Sequence, residues 1–222
     1  MLWAANANAP YKLSDNGTVS VDYSKVKAVT LDHVDVIAPN ATAVFNVSGK
    51  TTLTVKGGKI QSKIYCAATN ASTSSVANMT FDGCELKAQS PLFINVPGTL
   101  TAKNTKAYGY WQGLVVRGGT ANITNCEISQ AFSMHDADET RTPEVAAAQY
   151  MTGSWKSGNE MPMAAIVLGT DAAGAYQYPT VFNMSGTKVV GKAPFRAVVQ
   201  KQAGKTLSHM PTVAATPSMA TG

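Results

Sequence analysis

Six nine-residue segments of this chain share one arrangement of apolar and polar positions. They are VTLDHVDVI from Val29, LTVKGGKIQ from Leu53, MTFDGCELK from Met79, LTAKNTKAY from Leu100, ANITNCEIS from Ala121 and FNMSGTKVV from Phe182. The first, third and eighth positions are apolar in every copy: Val29, Leu31 and Val36 in the first, Phe182, Met184 and Val189 in the last. Positions one and three have the period of two expected of a strand, and positions five and six, often Gly or Asn, mark a bend before the apolar eighth. Five further apolar runs precede later copies: 43–47, 64–67, 91–96, 113–117 and 165–168, while 195–199 begins another turn. Successive copies start 24, 26, 21 and 21 residues apart, the length of one solenoid coil of two or three short strands.

The polar positions carry a second regularity. Position four reads Asp32, Lys56, Asp82, Lys103, Thr124, Ser185, and position seven reads Asp35, Lys59, Glu85, Lys106, Glu127, Lys188. Equivalent residues of stacked coils lie about 4.8 Å apart. Opposite charges attract at that spacing and like charges repel, so the alternation marks coils stacked in register. Each exposed pair contributes only about 0–1 kcal/mol. Position two forms another row, Thr30, Thr54, Thr80, Thr101, Asn122 and Asn183. The fifth and sixth copies start 61 residues apart, yet Glu127 and Lys188 keep the alternation. These two coils are therefore expected to stack directly, with 130–163 and 169–180 looping out as insertions.

The expected fold is all-β: a right-handed parallel β-helix of about six to seven coils with one or two loop insertions. Residues 1–28 form an N-terminal cap, with a strand within 18–23 covering the first coil, and 29–205 form the solenoid. Residues 206–222, rich in Thr, Ala, Ser and Pro, are expected to be a flexible tail or a segment that orders on a partner. A single helix is expected in the first insertion, with Thr142 as cap, Pro143 in the first turn and Gly153 at its end.

Charged residues make up only 14% of the chain, and its formal charge of +5 is spread singly without a Lys/Arg run, which argues against nucleic acid. No run is long and apolar enough to span a bilayer, and the first residues lack the pattern of a signal peptide. Cys84 and Cys126 share position six two coils apart, roughly 9–10 Å on the strand spacing, beyond disulfide reach. Both are expected to be free thiols.

The coil pattern resembles the right-handed parallel β-helix superfamily, which includes pectate lyases, polygalacturonases, phage tailspikes and bacterial surface adhesins. The resemblance covers about 29–205 and is carried by copies such as LTVKGGKI, MTFDGCEL and ANITNCEI, together with Tyr176–Thr180 before the last copy. It implies the fold. The catalytic patterns of the superfamily's enzymes are not matched: Asn104-Thr105 is followed by Lys106, and there is no Asp-Asp or His-Gly pair. Alternating acids and lysines also make poor calcium ladders.

The aromatic residues Tyr108, Tyr110, Trp111, Tyr150, Trp155, Tyr176 and Tyr178 fall in turns and insertions that stacking would bring to one edge. Aromatic faces suit sugars and protein partners alike, and serve equally as a small core beneath loops. The first reading is therefore a non-catalytic structural or adhesive module on a virion or bacterial surface, outside the cell. Its aromatic-lined loops would meet a glycan or a virion or surface protein. It would need no metal or cofactor and would not insert into a membrane. Self-association is an added expectation, a trimer by analogy with phage β-helices. The alternative is a polysaccharide-degrading lyase or glycoside hydrolase using Asp136, Asp138, Glu139 and Asp171, the acids of the insertions. The Thr row suggests an ice-binding face, but its Asp/Lys neighbours and its switch to Asn argue against one. The Asn-x-Ser/Thr triplets are attributed to turn and ladder composition.

Overall fold

The computed structural model describes residues 11–13, 19–21, 28–47, 52–69, 76–130, 164–168, 179–191, 195–197 and 212–215. Among them there is no α-helix; the regular structure consists of 21 short strands. The helix expected at 142–153 lies outside the described residues.

Each nine-residue copy forms two strands at an angle, and the apolar run that follows forms the third side of a coil. The first coil is β3 (Ala28–Asp32), β4 (Val36–Ala38) and β5 (Ala43–Val47). It is preceded by β1 (Tyr11–Leu13) and β2 (Val19–Val21). The second is β6 (Thr52–Lys56), β7 (Lys59–Ser62) and β8 (Tyr65–Thr69); the third is β9 (Ala77–Asp82), β10 (Glu85–Ala88) and β11 (Leu92–Ile94). The fourth is β12 (Gly98–Lys103), β13 (Lys106–Gly109) and β14 (Leu114–Val116). The fifth is β15 (Gly119–Thr124), β16 (Glu127–Gln130) and β17 (Ile166–Leu168). The sixth is β18 (Thr180–Ser185), β19 (Lys188–Val190) and β20 (Phe195–Ala197), and β21 (Thr212–Ala215) adds one strand more.

The strands assemble into three parallel faces. The first face runs β3-β6-β9-β12-β15-β18-β21 and the second β4-β7-β10-β13-β16-β19. The third is in two parts, β1-β2-β5-β8 and β11-β14-β17-β20. Between β8 and β11 the ladder is replaced by side chains: the Thr69 hydroxyl donates to Asn95 Oδ1 at 2.6 Å and accepts from the Asn95 N–H at 3.1 Å. The chain is a parallel β-solenoid.

The register is the one the repeat dictates. Val29, Leu53, Met79, Leu100, Ala121 and Phe182 are successive partners on the first face. Lys59, Glu85, Lys106, Glu127 and Lys188 are successive partners on the second. The pairing of β15 with β18 and of β16 with β19 confirms that the fifth and sixth coils stack directly across the long insertion. Within 206–222, Thr212–Ala215 pairs with β18 of the same chain. At the other end, β2 pairs with β5, and β1 adds to it antiparallel.

The strands make six coils and one strand of a seventh, in line with the six to seven expected, and about four turns, those beginning at β6, β9, β12 and β15, are fully packed. At position eight, Ile60, Leu86, Ala107 and Ile128 are at most 1% exposed. Val36 and Val189, their counterparts in the first and sixth coils, are only half-buried. An inner residue of a terminal coil has a neighbouring coil on one side alone, so water reaches its open side. The core runs along the axis as stacked rows including Leu53, Met79 and Leu100.

The corner between the first and second faces is made by position five. His33, Gly57, Gly83, Asn104, Asn125 and Gly186 all take the left-handed conformation, with φ between 49° and 70°. The three that are not glycine are His and Asn, residue types that tolerate this region. The position-five N–H then reaches the position-four carbonyl of the next coil: Gly57 to Asp82 at 2.7 Å, Gly83 to Lys103 at 2.9 Å, Asn104 to Thr124 at 3.0 Å. A bend that would leave its amides unsatisfied is thus hydrogen-bonded from coil to coil. Asn104→Val should lower stability in urea unfolding by about 1–2 kcal/mol, the cost of a left-handed β-branched residue, whereas Asn104→Gly should change it by only about 0.5 kcal/mol.

Candidate functional site

The corner where the second face turns into the third, on the third to fifth coils, holds the described members of the expected aromatic set. Tyr108 and Lys87 are register partners on adjacent strands of the second face, and both lie opposite the buried Leu86 and Ala107 rows. Tyr108 and Tyr110 are half-buried. The Lys87 ammonium sits 5.5 Å from the centre of the Tyr110 ring, a cation–π contact. Trp111 differs: it is 3% exposed, and its backbone N–H donates to the Gln89 carbonyl at 2.9 Å. Tyr150, Trp155, Tyr176 and Tyr178, and the acids Asp136, Asp138, Glu139 and Asp171, lie outside the described residues.

Below the tyrosines is a polar corner that the coil pattern did not reveal. Gln89, Ser90 and Gln112 are at most 3% exposed and Gln130 is 7% exposed. The Ser90 hydroxyl donates to Gln112 Oε1, and the Gln89 carbonyl accepts the N–H groups of Trp111 and Gln112. Gln89 Oε1 and both side-chain polar atoms of Gln130 have no hydrogen-bond partner among the described residues. A buried amide left in that condition costs about 1–3 kcal/mol, which buried water commonly relieves. The sequence signal was weak: Gln89 and Gln112 follow second-face strands and Gln130 ends one, without a common register.

The third face has an apolar outer side as well as an apolar inner one. Leu92 and Ile94, Leu114 and Val116, Ile166 and Leu168 face the central core. The residues between them, Phe93, Val115 and Val167, form a separate buried cluster with Ala164, against which Tyr65 packs. The Tyr65 and Phe93 rings are 4.7 Å apart, and the Arg117 guanidinium lies 5.4 Å from the Phe93 ring centre. The regular exposed surface is therefore that of the first two faces.

There the charge rows stand as the repeat requires, although among the described residues only Lys59 and Glu85 of these rows close to ion-pair distance, 3.8 Å. Lys59 also donates its backbone N–H to the Asp35 carboxylate at 2.7 Å. Asn104 Nδ2 donates to Asp82 at 3.0 Å, and Asn183 Nδ2 to Asn122 at 2.8 Å. Among the described residues no group of His, Cys, Asp and Glu is placed to hold a metal ion.

Position six supplies an inner column in which Cys84, Thr105, Cys126 and Thr187 follow one another. The Cys84 N–H donates to the Thr105 hydroxyl at 3.3 Å and the Cys126 N–H to the Thr187 hydroxyl at 3.2 Å. The Thr105 hydroxyl in turn donates to the Lys103 carbonyl at 2.7 Å. All three cysteines are free and buried, including the Cys84 and Cys126 expected to be so. Burial pushes the Cys66 thiol up to about 12 and the Cys84 thiol to about 11, and raises Cys126 as well. These are packing groups with no thiolate character at neutral pH.

The chain matches no protein-family model, no curated protein and no solved structure.

Two outcomes follow. Trp111→Ala should destabilise the fold by about 3–5 kcal/mol, as for other buried aromatics, while Tyr108→Ala should cost about 1 kcal/mol or less; urea titrations of the two variants compare them. Because the folded thiols hold their protons more tightly than the unfolded chain does, their contribution is complete below the ordinary thiol value of 9.0 and is lost as pH rises through about 11 to 12. Unfolding midpoints should fall over that window, and fall less steeply when Cys66 and Cys84 are both replaced by Ala.

Proposed function

We propose that this chain is a non-catalytic structural or adhesive module, displayed outside the cell on a virion or bacterial surface, that presents a rigid extended face to a glycan or protein partner. One observation carries the reading: the outer residues of the first two faces repeat in register from coil to coil, forming straight rows of Thr/Asn and of alternating charge. A partner that is itself extended meets a Thr or Asn at each coil step, about 4.8 Å, and a charge of the same sign at every second step. Many weak contacts then add without ordering a flexible surface, which keeps the entropic cost of binding low. Tyr108, Tyr110 and Lys87 give one corner of the second face an aromatic and cationic character suited to recognition. Trp111, 3% exposed, is too buried to share in that contact.

The rows also bear on catalysis. Position-seven acids alternate with lysines, so neighbouring carboxylates stand two coils apart with a cation between them. That arrangement suits a passive ladder better than an acid–base pair. A glycan-array screen of the purified protein, with released reducing ends assayed in the same wells, should show binding without new ends, and Tyr108→Ala should weaken it without unfolding the chain. Release of reducing ends would overturn the non-catalytic reading. An array blank for every glycan would remove the glycan and leave a protein partner.

A further inference from the structure

A parallel solenoid ends in two open coils, and each of its faces presents an unpaired strand edge unless something covers it. Here the ends are treated unevenly. On the third face β2 lies on β5, with β1 beyond it running antiparallel, so the beginning of that face is closed. On the first face β21 lies on β18 at the far end. On the second face, among the described residues, the ladder ends at β4 on one side and β19 on the other.

Those two ends match each other position by position. The position-seven row begins with Asp35 and finishes with Lys188, so its alternation would continue unbroken if Lys188 met Asp35 of a second copy. At position eight, Val189 would meet Val36; both are half-buried here, whereas the inner equivalents are sealed. At position nine the inner coils carry Gln61, Lys87, Tyr108 and Ser129, all polar or amphipathic. The two terminal coils alone carry β-branched apolar residues there. These are Ile37, 57% exposed, and Val190, 41% exposed, the two large hydrophobic residues most open to water among the described residues. Charge, burial and apolar exposure thus pair the same two strands in the same register.

We propose that the open edges of the second face are a latent head-to-tail joint between copies of this chain, with β19 of one copy taking the place beside β4 of the next, and that β1–β2 and β21 hold the joint shut. The obstruction is geometric. Coaxial joining would bring β3 of the second copy to the position on β18 that β21 fills, and would bring β20 to the position on β5 that β2 fills. Ends that fit at one face are kept apart by a strand at each of the other two, so single copies persist until those strands yield.

The test uses the full chain and weakens both covering strands at Val19, the register partner of Phe45, and Val213, the register partner of Phe182. A carboxylate at either place opposes strand docking. In sedimentation velocity the unaltered protein should run as one small species. Val19→Asp with Val213→Asp should form dimers and longer chains that grow with concentration while the far-UV signal stays β. Adding Lys188→Glu should return the monomer, and adding Asp35→Lys as well should restore the chains. A folded double variant that remains monomeric, or chains indifferent to Lys188→Glu, would overturn the proposal. Should the Asp pair lose its β signal, Val19→Gly with Val213→Gly carries the same comparison.

Discussion

Everything regular in this molecule depends on the corner at position five. A chain that turns through a left-handed residue, and pairs that residue's N–H with the coil above, has both its bend and its register fixed by one group. Asn104 and Asn125 show how little freedom is left, since their N–H groups bond successive coils at 3.0 Å while the backbone sits at φ near 50°. Once the corners align, the flanking strands stand in register without further instruction, and the inward rows of Leu, Ile and Val close over one another. Hydrophobic burial supplies most of the stability; the corner decides which residues are buried.

The same arrangement explains how the fold tolerates a long insertion. Leaving after β16 and returning before β17, the chain departs from a corner rather than from a ladder, and the fifth and sixth coils pair across it as closely as any others. Each coil contacts only its neighbours, so material added at a turn leaves the axis undisturbed. A scaffold of this kind separates presentation from stability, in line with a proposed role as a display surface. It also concentrates risk at the ends, where half-buried rows meet water.

Much of this was legible in the sequence because stacking repeats a pattern at fixed offsets. The apolar first, third and eighth positions located the strands, and the Asp/Lys alternation gave the register, including the step across the insertion. The left-handed corner was visible as a Gly/Asn preference, and His33 fits it only once the conformation is known. Less legible was anything decided outside the repeat. Trp111 reads as a turn aromatic and is instead buried, because one residue's shift along a tight turn exchanges outside for inside. Phe93, Val115 and Val167 read as ordinary strand residues, and nothing in their spacing says that the outer side of the third face is covered too. Gln89, Gln112 and Gln130 carried no period that would have announced a buried polar corner. The number of fully packed turns fell short of the number of copies because a terminal copy has a neighbour on one side only.

Coils distant in sequence stack in the register of the nine-residue repeat, and the most demanding case is the step from Glu127 to Lys188. A cysteine pair at these two register partners, Glu127→Cys with Lys188→Cys, measures it directly under mild oxidation. Facing residues on adjacent strands fall within the Cα separation that a disulfide accepts, about 4.4–6.8 Å. In-register stacking should give a rapid intramolecular disulfide that leaves the fold intact, and little crosslinking for Glu127→Cys with Val190→Cys, two positions out of register. Equal crosslinking of both pairs, or none in the first, would contradict it.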